Sequence, residues 1–280
     1  MSMKRIARAA AVGAAAGFSV LAYVYLTLPD VRPLRDANPA TTAFMELRWR
    51  EALDKGQKPR RAYRWAPYQR IADSFKRAVL VAEDGAFWQH EGIDLVAIRE
   101  SIEVNIERRE FARGASTITQ QLAKNLYLSP SKNPLRKFKE LLIARRLEAE
   151  LSKRRILELY LNVIELGDGI FGAEAAARSY FRKSAAALTP DESALLAAAI
   201  INPRVLNPGA RSPRLLRRQH MILRRMGLVT PPPAVPTLTP APDTAPTEPP
   251  GTPLEPRPEP TPTPGEPMPG EPVPPPAPPE

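Results

Sequence analysis

The stretch Arg113-Gly114-Ala115-Ser116-Thr117-Ile118-Thr119-Gln120-Gln121-Leu122-Ala123-Lys124-Asn125 reads as a glycine break, an N-cap and the first turns of a helix. Thr117 with Gln120 three residues on fits a capping box. The same grammar continues on both sides. Upstream, Asp73 can cap a helix carrying Phe75, Val79 and Leu80, and Leu95, Ile98, Ile102 and Ile106 recur at helical spacing. Downstream, Asn133-Pro134 reads as an N-cap with proline at the first helical position, followed by Leu135, Phe138, Leu141 and Leu142. Further helices are predicted at roughly 153–162, 171–181, 190–201 and 213–226, the third opened by Thr189-Pro190-Asp191-Glu192 and the last by Ser212-Pro213, ending before Gly227. No period-two alternation bounded by turn residues stands out, so the fold class is all-α.

Two carboxylates flank the opening stretch. Glu83 lies in Ala82-Glu83-Asp84-Gly85-Ala86-Phe87-Trp88-Gln89-His90, and Glu140 in Arg136-Lys137-Phe138-Lys139-Glu140. A general base and a second carboxylate on either side of an anion site suit glycosyl transfer from a diphosphate. At 100° per residue Glu140 falls away from Leu135, Phe138 and Leu142 and close to Arg136 and Lys137, so it is expected to face solvent or a cleft. An exposed i, i+4 pair with Arg136 is the plain alternative. Ser116, Thr117 and Gln120 are ordinary capping residues. Helix capping does not require Gly114, two consecutive glutamines, or Lys124 one turn beyond; together these place amide donors and a cation near a helix N-terminus, where anions bind. His90 alone fits a core histidine, and with only His90 and His220 no histidine metal cluster forms unless carboxylates join. Ser129-Pro130-Ser131-Lys132 matches the S-x-x-K pattern of serine acyl-enzymes, but its prolines make it a loop and no K-T-G triplet exists.

Charge and hydropathy divide the 280 residues further. Residues 231–280 hold 23 of the 34 prolines and a charge of −6, so the total of +10 leaves +16 on residues 1–230. Such a tail cannot build helix or sheet ladders and is expected to be extended and disordered. The basic remainder favours polyanions. After Lys4, Arg5 and Arg8, residues 9–28 run without a charge, and about 20 residues at 1.5 Å each just span a hydrocarbon core of roughly 30 Å. The preceding basic residues put the N-terminus in the cytoplasm and the rest outside, which directs the basic surface to lipid-linked phosphate or phospholipid rather than nucleic acid. A cleaved signal peptide ending at Ala14-Ala15-Ala16 would leave an h-region of only a few residues. The chain has no cysteine, which removes disulfides, thiolate metal sites and cysteine nucleophiles.

Over about residues 65–226 the chain resembles the peptidoglycan glycosyltransferases of family 51, which polymerise lipid II. The resemblance rests on five pieces in order: Glu83-Asp84, Phe87, His90 and Gly92; Gly114, Ser116-Thr117-Ile118-Thr119-Gln120-Gln121 and Lys124-Asn125; Arg136-Lys137 and Glu140; Lys153 through Lys183, including Ile156-Leu157-Glu158, Tyr160-Leu161-Asn162, Gly167, Gly172 and Tyr180-Phe181; and Glu192-Ser193-Ala194-Leu195-Leu196-Ala197 with Pro203 and Pro208. Gly167-Asp168-Gly169-Ile170-Phe171-Gly172 and the end near Gly227 look like the monofunctional biosynthetic branch, without transpeptidase activity. Leu166 stands where an aromatic residue is usual, and Lys132 where arginine is expected, which would loosen bidentate phosphate binding.

The resemblance implies a lysozyme-like helical catalytic lobe, with a small lobe at about residues 94–113 that dips into the membrane. The implied organisation is a basic stub at 1–8, an anchor at 9–28, a linker at 29–64, the transferase domain at 65–230 and the tail at 231–280. It implies that Glu83 takes the proton from the acceptor's 4-hydroxyl as the chain is transferred with inversion to a β-1,4 linkage. Asp84, Phe87 and His90 would bind substrate beside it, Asp84 and His90 helping to position Glu83, and Glu140 would act on the donor side. Arg113, Lys124, Lys132, Arg136 and Lys137 would neutralise the diphosphate, with Ser116, Thr117, Gln120, Gln121 and Asn125 lining the site. The resemblance implies no obligatory cofactor beyond the option of a divalent cation, Mg or Mn, at the diphosphate. Expected partners are lipid II, the growing glycan strand, membrane lipids and other cell-wall synthesis proteins met through the anchor or tail. A muramidase or lytic transglycosylase shares the lobe and a catalytic glutamate but has no need of that many cations. A membrane-tethered scaffold would need neither carboxylate.

Overall fold

A computed structural model describes residues 3–108, 116–128 and 134–227. Arg113, Lys132, Asn133 and the whole of 231–280 lie outside the described residues. Among the described residues ten α-helices follow in order: α1 (Met3–Leu26), α2 (Ala43–Asp54), α3 (Asp73–Glu83), α4 (Leu95–Arg108), α5 (Ile118–Tyr127), α6 (Pro134–Glu150), α7 (Lys153–Val163), α8 (Ala173–Phe181), α9 (Pro190–Ala199) and α10 (Pro213–Met226). The fold is helical, as expected. The sequence reading did not foresee a small sheet of β1 (Ala62–Tyr63), β2 (Glu165–Gly167) and β3 (Ile170–Phe171), ordered β1-β3-β2. Two- and three-residue strands are too short to show a period, and the predicted helix from 171 starts only at Ala173.

Local chemistry sets the helix ends. Thr117 Oγ1 accepts from the Gln120 N–H at 3.2 Å, and Thr189 and Glu192 form the full reciprocal box that opens α9. The first is only half a box, because the Gln120 side chain takes Lys137 instead. Asp73 does not cap α3. Ala72 holds the cap position, and Asp73 pairs with Lys76 Nζ at 2.8 Å. Ser212 caps α10 and Ser152 caps α7.

One apolar core runs through the helical body: Phe75, Val79 and Leu80 of α3, Ile118 and Leu122 of α5, Ile143 and Leu147 of α6, Ile156 and Tyr160 of α7, and Leu195 and Leu196 of α9. α5 packs between α6 and α7, while α10 packs on α9 and α3. This layout brings the end of α3, the start of α5 and the start of α6 together. The segment expected to be a linker is packed onto the domain: Val31, Leu34 and Met45 join the core, as does Leu28 at the end of the expected anchor, and Arg155 donates to the carbonyls of Leu34 and Ala37 at 2.8 Å each.

Candidate active site

Glu83 ends α3, and its Oε2 accepts from Gln121 Nε2 at 2.8 Å. Gln121 is held in turn by the Tyr160 hydroxyl, which donates to its Oε1 at 2.8 Å. Tyr160 is fully buried on α7, so its hydroxyl has one direction to take and fixes which face of the amide meets Glu83. Burial pushes the Glu83 carboxyl above the ordinary glutamate value, while the Gln121 hydrogen bond and the charges of Arg218 and Lys124 pull it back. The outcome is a carboxyl held above the ordinary glutamate value. Burial also pushes the Lys124 ammonium below its usual range, partly opposed by Glu140.

The neighbouring residues divide into lining and support. Asp84 is buried, accepting from the Ile118 N–H at 2.8 Å and pairing with His90 Nε2 at 3.0 Å. His90 Nδ1 accepts from the Gly92 N–H at 3.1 Å, so Nε2 carries the proton given to Asp84. Thr117 closes the circuit by donating to the Gly92 carbonyl at 2.7 Å. These four tie the end of α3 to the start of α5, and the Asp84 carboxylate is taken up by His90 and the Ile118 N–H. Phe87 requires a correction: it is fully buried under the Lys153 ammonium, 4.5 Å from the ring centroid, and cannot touch a substrate. Gln120 and Asn125 are likewise buried.

Glu140 departs most from its expected placement. Its residue is 3% exposed, while Leu135 at 51% and Phe138 at 38% face outward, so the helix is rotated relative to the expected apolar face. Arg136 Nη1 meets Glu140 Oε2 at 2.8 Å and Lys137 pairs with Oε1, so a buried carboxylate is held by two partly exposed cations rather than by one surface partner. Lys137 also reaches Ser116 Oγ at 3.3 Å, and Lys124 adds a third positive charge nearby. Two cations on one carboxylate, with Lys124 near them, leave net positive charge for an anionic group. Among the described residues both Glu140 oxygens are taken by Arg136 and Lys137, so this carboxylate offers no open oxygen to a divalent cation. Elsewhere Asp84, His90 and Asp94 bring ligand atoms within 4.8 Å, but Asp84 and His90 are spent on each other and on backbone groups, and Asp94 accepts the Ala97 N–H.

A cleft of about 900 Å³ opens on Glu83, Asp84, His90, Ser116 and Thr117, with Arg225 of α10 on its wall. The sequence reading gave no role to Tyr160, Arg218 or Arg225. A buried tyrosine among Ile156, Leu157 and Val163 signals a hydroxyl in need of a partner. Nothing local marks the arginines, whose place depends on the packing of α10 against α3.

The transglycosylase family model matches residues 51–227. A biosynthetic peptidoglycan transglycosylase of Nitrosomonas eutropha is 48% identical over 192 residues, covering 69% of this chain and 79% of the relative. A protein of the same description from Laribacter hongkongensis is 47% identical over 195 residues, 70% and 86% of the two chains. One from Thiobacillus denitrificans is 44% identical over 220 residues, 78% and 94%.

Proposed function

The chain belongs to the transglycosylase family and is a peptidoglycan glycosyltransferase, and on that premise we propose that Glu83 is the base and the Glu140 cluster the diphosphate site in the polymerisation of lipid II. The observation that carries this reading is one carboxylate raised by burial at a cleft, beside a separate carboxylate overcharged by cations. Glu83 takes the proton of the acceptor 4-hydroxyl as that oxygen attacks the anomeric carbon of the donor sugar. The bond to the diphosphate breaks on the opposite face, giving inversion. Lys124, Arg136 and Lys137 neutralise the charge that builds on the leaving oxygens, and Ser116 can donate to them. Glu140 holds Arg136 and Lys137 in place. The Arg113 and Lys132 side chains belong to this site on the resemblance alone.

The substrate is lipid-linked, and α1 is 24 residues long, about 36 Å, with an apolar composition that can cross a membrane. The basic residues before it put the catalytic domain outside the cytoplasmic membrane. Leu95, Val96 and Ile102 of α4 are exposed, which supports a membrane contact for the segment from 94. Purified protein given lipid II should yield long glycan that lysozyme digests. Cleavage of existing glycan without polymer would instead mark a lytic enzyme.

A further inference from the structure

The anchor does not hang from the catalytic body by a loose tether. Val24 is 3% exposed, although most of the described side chains of α1 are exposed, and Leu28 and Val31 just beyond it enter the core. Arg146 of α6 meets the end of α1 by three contacts. It donates to the Leu28 carbonyl at 3.4 Å and the Tyr25 carbonyl at 3.3 Å, and its guanidinium lies 4.7 Å from the Tyr25 ring centroid. The Tyr25 carbonyl also accepts the Leu28 N–H at 3.3 Å, so Arg146 adds a second donor and a positive charge where the helix end carries partial negative charge, and it takes the Leu28 carbonyl just beyond that end. One turn further along α6, the Glu150 carbonyl accepts from Arg35 Nε at 3.0 Å, and the Glu150 carboxylate pairs with the same guanidinium.

α6 is also the helix that carries Arg136, Lys137 and Glu140. From Glu140 to Arg146 is six residues, about 9 Å along the axis. A lipid diphosphate sits at headgroup height, which is where an apolar span ends. We propose that Arg146 is a positioning residue that fixes α6 to the anchor, so that the diphosphate-binding cations are held at headgroup level. The inference rests on the reading of α1 as a membrane span and of the Glu140 cluster as the diphosphate site. Its consequence is specific: the contact matters where height is imposed by a bilayer and not where substrate diffuses in a micelle.

The test uses the full chain in vesicles and in detergent, with lipid II as substrate. Arg146→Met keeps the apolar stem and loses the donors. It should polymerise within about twofold of the parent in detergent and about five- to tenfold more slowly in vesicles, and Arg146→Lys should recover part of the difference. Because the chain has no cysteine, Val20→Cys and Arg224→Cys can be spin-labelled alone. Their distance distribution should broaden in vesicles when Arg146→Met is added. Equal rates in both media with an unchanged distribution overturn the proposal. Equal losses in both media overturn it too, since they mark a plain fold defect. If the parent makes no polymer in either medium, the functional reading fails instead; if alkaline carbonate strips the parent from vesicles, the anchor reading fails.

Discussion

At the residue scale the proposed base is held by a relay: Tyr160 orients Gln121, and Gln121 orients Glu83. Glu83→Gln keeps shape but cannot accept a proton, so turnover should fall by about 10²–10⁴ while a non-reacting donor analogue still binds. A near-parental polymerisation rate would show that another group is the base. Tyr160→Phe removes only the hydroxyl; about 1 kcal/mol of stability is expected to go with that hydrogen bond, seen in thermal unfolding, and kcat should drop with KM little changed. The pH profile follows from the two shifted groups. Glu83 must be ionised, so activity falls on acidification through a pKa above the ordinary glutamate value. Lys124 must be charged, so activity also falls on the alkaline side through a pKa below the ordinary lysine value. Lys124→Arg should push that alkaline limb upward, measured as initial rate against pH. In stability the sign runs the other way for Glu83. A raised carboxyl pKa favours the folded state below the unfolded value and loses that contribution as pH rises through the folded one. Glu83→Gln should therefore unfold at a higher temperature than the parent at pH 8, with the gap closing toward pH 4.

Elements explain which parts of this site were legible in the sequence. Caps are local, so Thr117, Thr189 and Ser212 mark the starts of α5, α9 and α10 without knowledge of the rest. The phase of α6 is not local. Leu135 and Phe138 are apolar enough to set the expected inner face, yet the helix turns them outward and buries Glu140, because Arg136 and Lys137 satisfy that carboxylate inside. Neutralised acids defeat a reading based on hydropathy alone. The sheet was hidden for another reason: β2 and β3 are made by a turn whose glycines meet other backbone. Gly172 has φ +81°, and a Cβ there would strike the Asn162 carbonyl, while the Asn162 side chain already spans Ala66 on both sides at 2.8 and 2.9 Å. Gly172→Ala should cost more than about 2 kcal/mol in denaturant unfolding, from positive φ and the close approach together. Gly85, with nothing near its missing Cβ, is the comparison site and should tolerate alanine to within roughly 1 kcal/mol.

At the scale of the whole molecule, chemistry and length separate cleanly. The residues assigned to the reaction fall between Glu83 and Glu140, the cleft wall reaches Arg225, and the family match ends at 227. Residues 231–280 add 23 prolines and a charge of −6 beyond that point. Their composition could be read from the sequence, but no motif in it states a role, since a proline-rich acidic segment has no chemistry of its own to recognise. Deleting 231–280 should therefore leave lipid II polymerisation in detergent within about threefold of the parent, less than the tenfold change that corresponds to roughly 1.4 kcal/mol of transition-state stabilisation. In vesicles the expectation differs in one respect. Removing the acidic segment leaves +16 on residues 1–230, so binding to anionic vesicles should strengthen and become more sensitive to salt, measured by flotation over a salt series. A tail-deleted chain that lost more than tenfold in detergent would place the tail inside the working enzyme, because in micelles neither surface charge nor membrane docking is available to explain the loss.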